Sequence, residues 1–177
     1  ADALSGVGRD PPAAARRLAA RFWPGPLTLI LSDRHGRPTA YRVPDLDVTR
    51  CLLREAGCLV AVAGAGPAGG AYARTAAAVL EHFDGILDAI LDAGATRHGE
   101  ESSVVRVLPE GGAEVLREGV IPAADLREVG ARTLLFVCSA NRCRSPLAAA
   151  IARRLVGRRQ SVRGWELARG GYRILSA

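Results

Sequence analysis

No helix can run through Trp23-Pro24-Gly25-Pro26. Each proline fixes its own φ and has no amide to donate, so a helix arriving from upstream must stop there. Asp10-Pro11-Pro12 followed by Ala- and Arg-rich sequence predicts such a helix, capped at its start and ending near Phe22. Beyond the break, Leu27-Thr28-Leu29-Ile30-Leu31 is an apolar run of strand length and is expected to be buried. A helix, an enforced break and a core strand in close succession point to an α/β chain.

The pattern continues in short elements. Residues 33–38 read as a turn and 39–43 as a second strand, closing a hairpin. Residues 48–55 read as a helix stopped by Gly57, and 59–63 as a buried strand. A small-residue loop follows, Gly64-Ala65-Gly66-Pro67-Ala68-Gly69-Gly70. Thr75 is placed to cap a helix reaching about Phe83. Residues 86–91, 103–108 and 114–117 are strand candidates, and 122–129 a short helix. Then 133–137 reads as a buried strand and 138–144 as a polar loop. Ser145-Pro146 opens a helix with Leu147, Ile151 and Leu155 at fourfold spacing on one face, and 172–175 is a last strand.

Charge divides the chain. From Arg132 onward there are ten Arg and one acid, whereas the first 131 residues hold 14 Arg and 17 acids. The shift predicts two units, 1–129 and 132–177, with a basic second unit suited to an anionic ligand. All 24 basic residues are Arg, so chemistry needing a Lys amine would have to come from elsewhere. With no Met and an opening of Ala1-Asp2-Ala3, the sequence is expected to be a piece of a longer protein, cut at both ends. No apolar run reaches the ~18 residues of a membrane-spanning helix, and no signal peptide opens the chain, so no membrane partner and a cytoplasmic location are expected. His35, His82 and His98 lack metal-ligand spacing, and no metal site is expected. Cys51 and Cys58, among Leu and Val, are expected to be buried structural thiols.

Cys138-Ser139-Ala140-Asn141-Arg142-Cys143-Arg144-Ser145-Pro146 carries the sharpest chemistry. A loop entering a helix N-terminus points its backbone amides inward and makes a nest for an anion. The same field stabilises a thiolate, so Cys138 is expected to be a nucleophile with a lowered pKa. Arg144 can grip a phosphoryl group through two parallel hydrogen bonds. Ser145 can donate to the sulfur, and Asn141 can brace the loop. The parts suit transfer of a phosphoryl group to Cys138 and then to water.

This stretch, with the strand before it, resembles the N-terminal strand and phosphate loop of the low-molecular-weight protein tyrosine phosphatases, a family that includes related arsenate reductases. The resemblance implies Cys138 as nucleophile and Arg144 as phosphate binder. Ser139, Ala140, Asn141, Arg142, Cys143 and Ser145 complete the loop. It implies phosphotyrosine protein or a small aryl phosphate as substrate, and Cys143 as a partner for the nucleophile in an oxidative disulfide. It also places the general-acid Asp past Ala177. Ala140 stands where many members have Gly, which would cost stability if the position needs φ > 0.

The first unit carries a second resemblance. Arg21-Phe22-Trp23-Pro24-Gly25-Pro26-Leu27-Thr28, Tyr41-Arg42-Val43-Pro44-Asp45, residues 87–94, Gly99 to Val105 with Ser102-Ser103-Val104, and Leu116-Arg117-Glu118-Gly119-Val120-Ile121 follow in the order of signatures in the Sua5/YciO/YrdC family, the threonylcarbamoyl-AMP synthases. The resemblance covers roughly residues 10–129. It implies a nucleotidyltransferase that makes threonylcarbamoyl-AMP from ATP, threonine and bicarbonate for tRNA modification, with tRNA an indirect partner. It implies ATP as substrate, Mg2+ as its candidate counter-ion, and no covalent cofactor. Arg117 and Ser102 or Ser103 would face the nucleotide, and Arg42 would line the cleft.

Gly64-Ala65-Gly66 aligns with the family's Ser-Ala-Asn loop and lacks its hydroxyl and amide. That departure sets a rival expectation, a degenerate synthase unit serving as a nucleotide- or RNA-binding module beside phosphatase or arsenate reductase chemistry. The fold expected for the whole is α/β: a twisted mixed sheet with helices, followed by the β-loop-α-β start of a doubly wound parallel phosphatase fold.

Overall fold

The computed structural model describes residues 4, 10–33, 35–66, 72–108, 112–161, 163, 167 and 171–177. The opening helix α1 spans Ala13–Phe22, and the backbone amide of Trp23 still reaches Ala19 O before the prolines end it. Asp10 does not cap it; its carboxylate takes Arg16 at 2.6 Å instead. Strand β1, Leu27–Ser32, turns at Asp33, whose carboxylate accepts the amides of His35 and Arg37, and returns as β2, Pro38–Tyr41. Helices α2, Asp47–Ala56, and α3, Ala76–Phe83, follow. Gly57 ends α2 in the left-handed region, where a Cβ would be strained. Thr75 caps α3 by accepting the Ala78 amide.

Strands β3, Ser103–Val107, and β4, Ala113–Arg117, complete a four-stranded sheet in the order β2-β1-β3-β4. Only β1 and β3 run parallel, so the sheet is mixed. Burial alternates along β1, as a sheet covered on one face requires. Its buried face carries Leu27, Leu29, Leu31, Val105 and Val107. Leu18 of α1 and Leu126 of α4, Ala123–Gly130, pack onto it and are fully buried. Arg17 donates to the Val129, Gly130 and Ala131 carbonyls, closing the C-terminal end of α4.

A second, two-stranded parallel sheet pairs β5, Arg132–Phe136, with β6, Tyr172–Ser176. Helix α5, Arg144–Gln160, lies between them in sequence and makes the crossover that a parallel pair needs. A small separate core of Ala149, Leu167 and Ile174 joins helix to sheet. Arg173 pairs with Glu128 of α4 at 2.6 Å, a contact between this sheet and the first unit.

Several expectations fail here. Residues 59–63 and 86–91 are not strands, and Leu59, Val62 and Ile86 are 78%, 79% and 72% exposed. An apolar run becomes a strand only when a neighbour accepts its backbone hydrogen bonds, and none of the four sheet strands pairs with either run. Cys51 and Cys58 are exposed for a related reason, since α2 has no buried residue. On α5 the Leu147, Ile151 and Leu155 face is open to solvent, and the helix packs through its small residues, such as the fully buried Ala149. Residues 67–70 of the small-residue loop and residues 1–3 and 5–9 of the first unit lie outside the described residues.

Candidate active sites at a sheet end and a strand–helix loop

Strand direction places one set of candidates together. The starts of β1 and β3 and the ends of β2 and β4 all lie at the same end of the sheet. Gly25 donates its amide to Val43 O, and Ser103 donates its amide to Pro26 O, which ties this end into one rim. Ser102, just before β3, holds Thr28 through a hydroxyl–hydroxyl hydrogen bond of 2.8 Å. Arg117, the last residue of β4, lies opposite Val104 next to a bulge and donates twice to Ser102 O, at 3.0 and 3.2 Å.

Ser103 is different from its neighbour. It is fully buried, donates its hydroxyl to Ile121 O, and accepts the amides of Gly119 and Ile121. Those three bonds use its whole capacity, so Ser103 shapes the turn after β4. Arg42 follows β2 and donates to Gly25 O at 3.2 Å; burial pushes its pKa down. From β2 to β4 is three strand spacings, about 14 Å, so Arg42 and Arg117 would meet different parts of one ligand.

Two residues absent from the sequence reading also belong to this rim. Glu101 forms an ion pair with Arg117 and accepts a hydrogen bond from the Tyr72 hydroxyl. That bond raises the Tyr72 pKa, because the neighbouring carboxylate favours the protonated phenol. The Tyr72 ring lies against Gly64, where a Cβ would come within 2.3 Å of it. The small-residue loop therefore admits the aromatic ring, and Gly64 is needed for a close approach rather than for a special φ. Tyr72 carries no spacing signal. Glu101 sits inside the serine segment, but its pairing with Arg117 depends on β4 lying beside β3.

The second set sits where β5 meets α5. Cys138 Sγ is 3.0 Å from Ser145 Oγ and accepts the Asn141 amide at 3.2 Å. The Cys138 thiol is lowered to about 6, first by the Ser145 hydroxyl, then by the amides of Ala140, Ser145 and Asn141, with desolvation opposing. Asn141 takes the left-handed turn at φ 45°, a conformation that Asn tolerates better than most residues. The described non-glycine residues with positive φ are Asn141 and Ser161, so Ala140 bears no such cost.

The loop is braced from outside. Ser145 Oγ is also 2.9 Å from Asn141 Oδ1 and 3.0 Å from Ala177 O, and the Cys138 amide donates to Ala177 O. The Arg144 guanidinium donates to Ser139 Oγ at 2.8 Å, at the mouth of the loop. Arg142 and Cys143 are exposed, and Cys143 is a free thiol. Among the described residues no group of three or more His, Cys, Asp or Glu could hold a metal ion. No helix of the described residues is long and apolar enough to cross a membrane.

A family profile matches the part of the chain that carries the first of these sites, and solved structures match 89% of the chain. The Sua5/YciO/YrdC family profile, described as telomere recombination, matches residues 1–119. A threonylcarbamoyl-AMP synthase of Pyrococcus abyssi (strain GE5 / Orsay) is 33% identical over 135 residues, spanning 71% of this chain and 39% of that protein. The threonylcarbamoyl-AMP synthase of Bacillus subtilis (strain 168) is 35% identical over 104 residues, spanning 53% of this chain and 30% of that one. The chain thus spans well under half the length of these relatives. Two structures of Pyrococcus abyssi Sua5, one doubly substituted and one complexed with L-threonine, share the fold at a TM-score of 0.64, with 23% and 24% identity. Each is matched over 89% of this chain and 55% or 56% of its own length. The profile match extends over more than half of the chain, and the chain belongs to the Sua5/YciO/YrdC family.

Proposed function

We propose that the first unit takes part in threonylcarbamoyl-AMP synthesis, binding ATP at the sheet end that carries Arg42, Ser102 and Arg117. Activation of a carbamate by ATP forms a bond from its oxygen to the α-phosphorus and expels pyrophosphate. Charge moves onto the departing phosphates, so cations held near them favour the step. The observation that supports this reading is the placing of Arg117 and Ser102 at one rim, with a guanidinium fixed by two bonds to Ser102 O. Ser103 serves by holding Gly119 and Ile121 in place, and Arg42 by lining the far side of the rim. The test is ATP-, threonine- and bicarbonate-dependent pyrophosphate release by the protein that contains this chain. Release that falls at least tenfold in Arg117→Ala supports the reading; equal rates overturn it. A protein that binds ATP but releases no pyrophosphate would be the degenerate binding module instead.

The Cys138 loop supports a second activity, Cys-dependent hydrolysis of a phosphomonoester. The thiolate attacks phosphorus, the aryloxide leaves, and water then cleaves the phosphocysteine to release phosphate and restore the thiolate. Three amides and the Ser145 hydroxyl around the sulfur favour this over a passive thiol. Arg144 would turn from Ser139 onto the phosphoryl oxygens. p-Nitrophenyl phosphate is a suitable probe, because its leaving group departs without a proton. Hydrolysis abolished by Cys138→Ser supports the reading, and equal hydrolysis by both proteins overturns it. Arsenate reduction measured on the same pair separates the related reductase chemistry.

A further inference from the structure

The rim at the end of the first sheet holds an internal anion. Glu101 occupies the space beside Arg117, and the Tyr72 hydroxyl donates to the same carboxylate. A carboxylate held by a guanidinium and a phenol has the donor set that a phosphate oxygen would seek. The loop at Gly64-Ala65-Gly66 offers no side-chain donor, but its Gly64 admits the Tyr72 ring and so lets the phenol reach this position.

We propose that Tyr72, Glu101 and Arg117 form one phosphate subsite, in which a phosphate of the bound nucleotide takes the place of the Glu101 carboxylate between the phenol and the guanidinium. The inference rests on the ATP-binding reading of this rim and adds Tyr72 as a ligand-binding residue. Tyr72 and Arg117 keep their hydrogen bonds through the exchange, while Glu101 turns to solvent. The carboxylate is only partly buried, so this motion needs no core rearrangement. It also opposes a second negative charge, so the wild-type protein binds phosphate more weakly than the donors alone allow.

Equilibrium binding of pyrophosphate, ATP and adenosine to the whole protein tests the proposal. Glu101→Gln is expected to bind pyrophosphate and ATP about tenfold more tightly, with adenosine affinity unchanged. In the Glu101→Gln background, Tyr72→Phe is expected to lose about fivefold in pyrophosphate affinity. The adenosine measurement on each variant separates a phosphate effect from damage to the fold. Unchanged or weaker pyrophosphate binding in Glu101→Gln, or a silent Tyr72→Phe in that background, overturns the subsite while leaving the nucleotide reading in place. If Arg117→Ala binds ATP as the wild type does, the nucleotide reading itself falls, and the subsite with it.

Discussion

The Ser145 hydroxyl lies 3.0 Å from the Cys138 sulfur, though the two residues stand at opposite ends of the loop. Folding holds the thiol at about 6, against an ordinary value of 9.0. A depressed acid means that the unfolded chain binds the extra proton between those two values. The thiolate thus contributes stability that is complete above the unfolded value and is lost as pH falls through about 6. Alkylation of Cys138 by iodoacetamide should accordingly rise to a plateau with a midpoint near pH 6. In Ser145→Ala the midpoint should move up toward the ordinary thiol range, because the largest cause of the shift is gone. Identical profiles would remove Ser145 from the account. Cys51, Cys58 and Cys143 must be replaced by Ala in both proteins so that a single thiol reports.

Ser103 should prove structural. Its hydroxyl serves the Gly119 amide and both backbone groups of Ile121. Ser103→Ala strands two buried donors and an acceptor, at a cost of about 2–4 kcal/mol. Urea unfolding of the two proteins measures it. A loss below about 0.5 kcal/mol would show that water or a shifted turn replaces the hydroxyl.

Gly119 guards the same corner by being small. A Cβ there would sit 2.3 Å from Glu101 O and 2.9 Å from the Ser102 carbonyl carbon. Both neighbours are backbone, so they cannot swing aside. Gly119→Ala is expected to cost about 1–3 kcal/mol, because the backbone of Glu101 and Ser102 has to give way. A wild-type melting temperature in the variant would contradict the close approach.

Arg17 is the cation at the C-terminal end of α4, with three carbonyls in reach. Burial and the nearby Arg132 both lower its pKa, yet it remains charged at any ordinary pH. Arg17→Ala should destabilise by about 1–2 kcal/mol. Hydrogen exchange should quicken in residues 127–132 before it does in β1. Equal protection of α4 in the two proteins would count against the clamp.

The two faces of α5 should respond in opposite ways. Leu147→Gln changes an exposed side chain and should cost less than about 0.5 kcal/mol. Ala149→Leu adds bulk at a fully buried position and should cost about 1–3 kcal/mol. Thermal melts of the pair decide, and a costly Leu147→Gln would mean that this face is covered in solution.

Elements whose signals are local were legible in the sequence. The prolines after Trp23 stop α1, Gly57 stops α2, and Thr75 starts α3, each through a short-range backbone effect. The strand and helix that flank Cys138 were legible for the same reason, since they and the loop are contiguous. What failed needed knowledge of neighbours. Residues 59–63 and 86–91 have strand composition but no strand to pair with, and Leu147, Ile151 and Leu155 have helical spacing but face solvent. The sheet-end site was half legible. Ser102 and Arg117 stand in recognisable segments, but Tyr72 joins Glu101 only through the folded path of the chain between them.

Ala177 O accepts the Cys138 amide and lies 3.0 Å from Ser145 Oγ, and the Asn141 side-chain amide donates to Ser176 O at 3.4 Å. The Cys138 sulfur is therefore tied to the end of β6, more than thirty positions away along the chain. Peeling β6 from β5 would draw these carbonyls away from the loop and slacken its bracing. The acidity of one thiol thus doubles as a gauge of whether that edge is seated, readable by alkylation once the other cysteines are replaced.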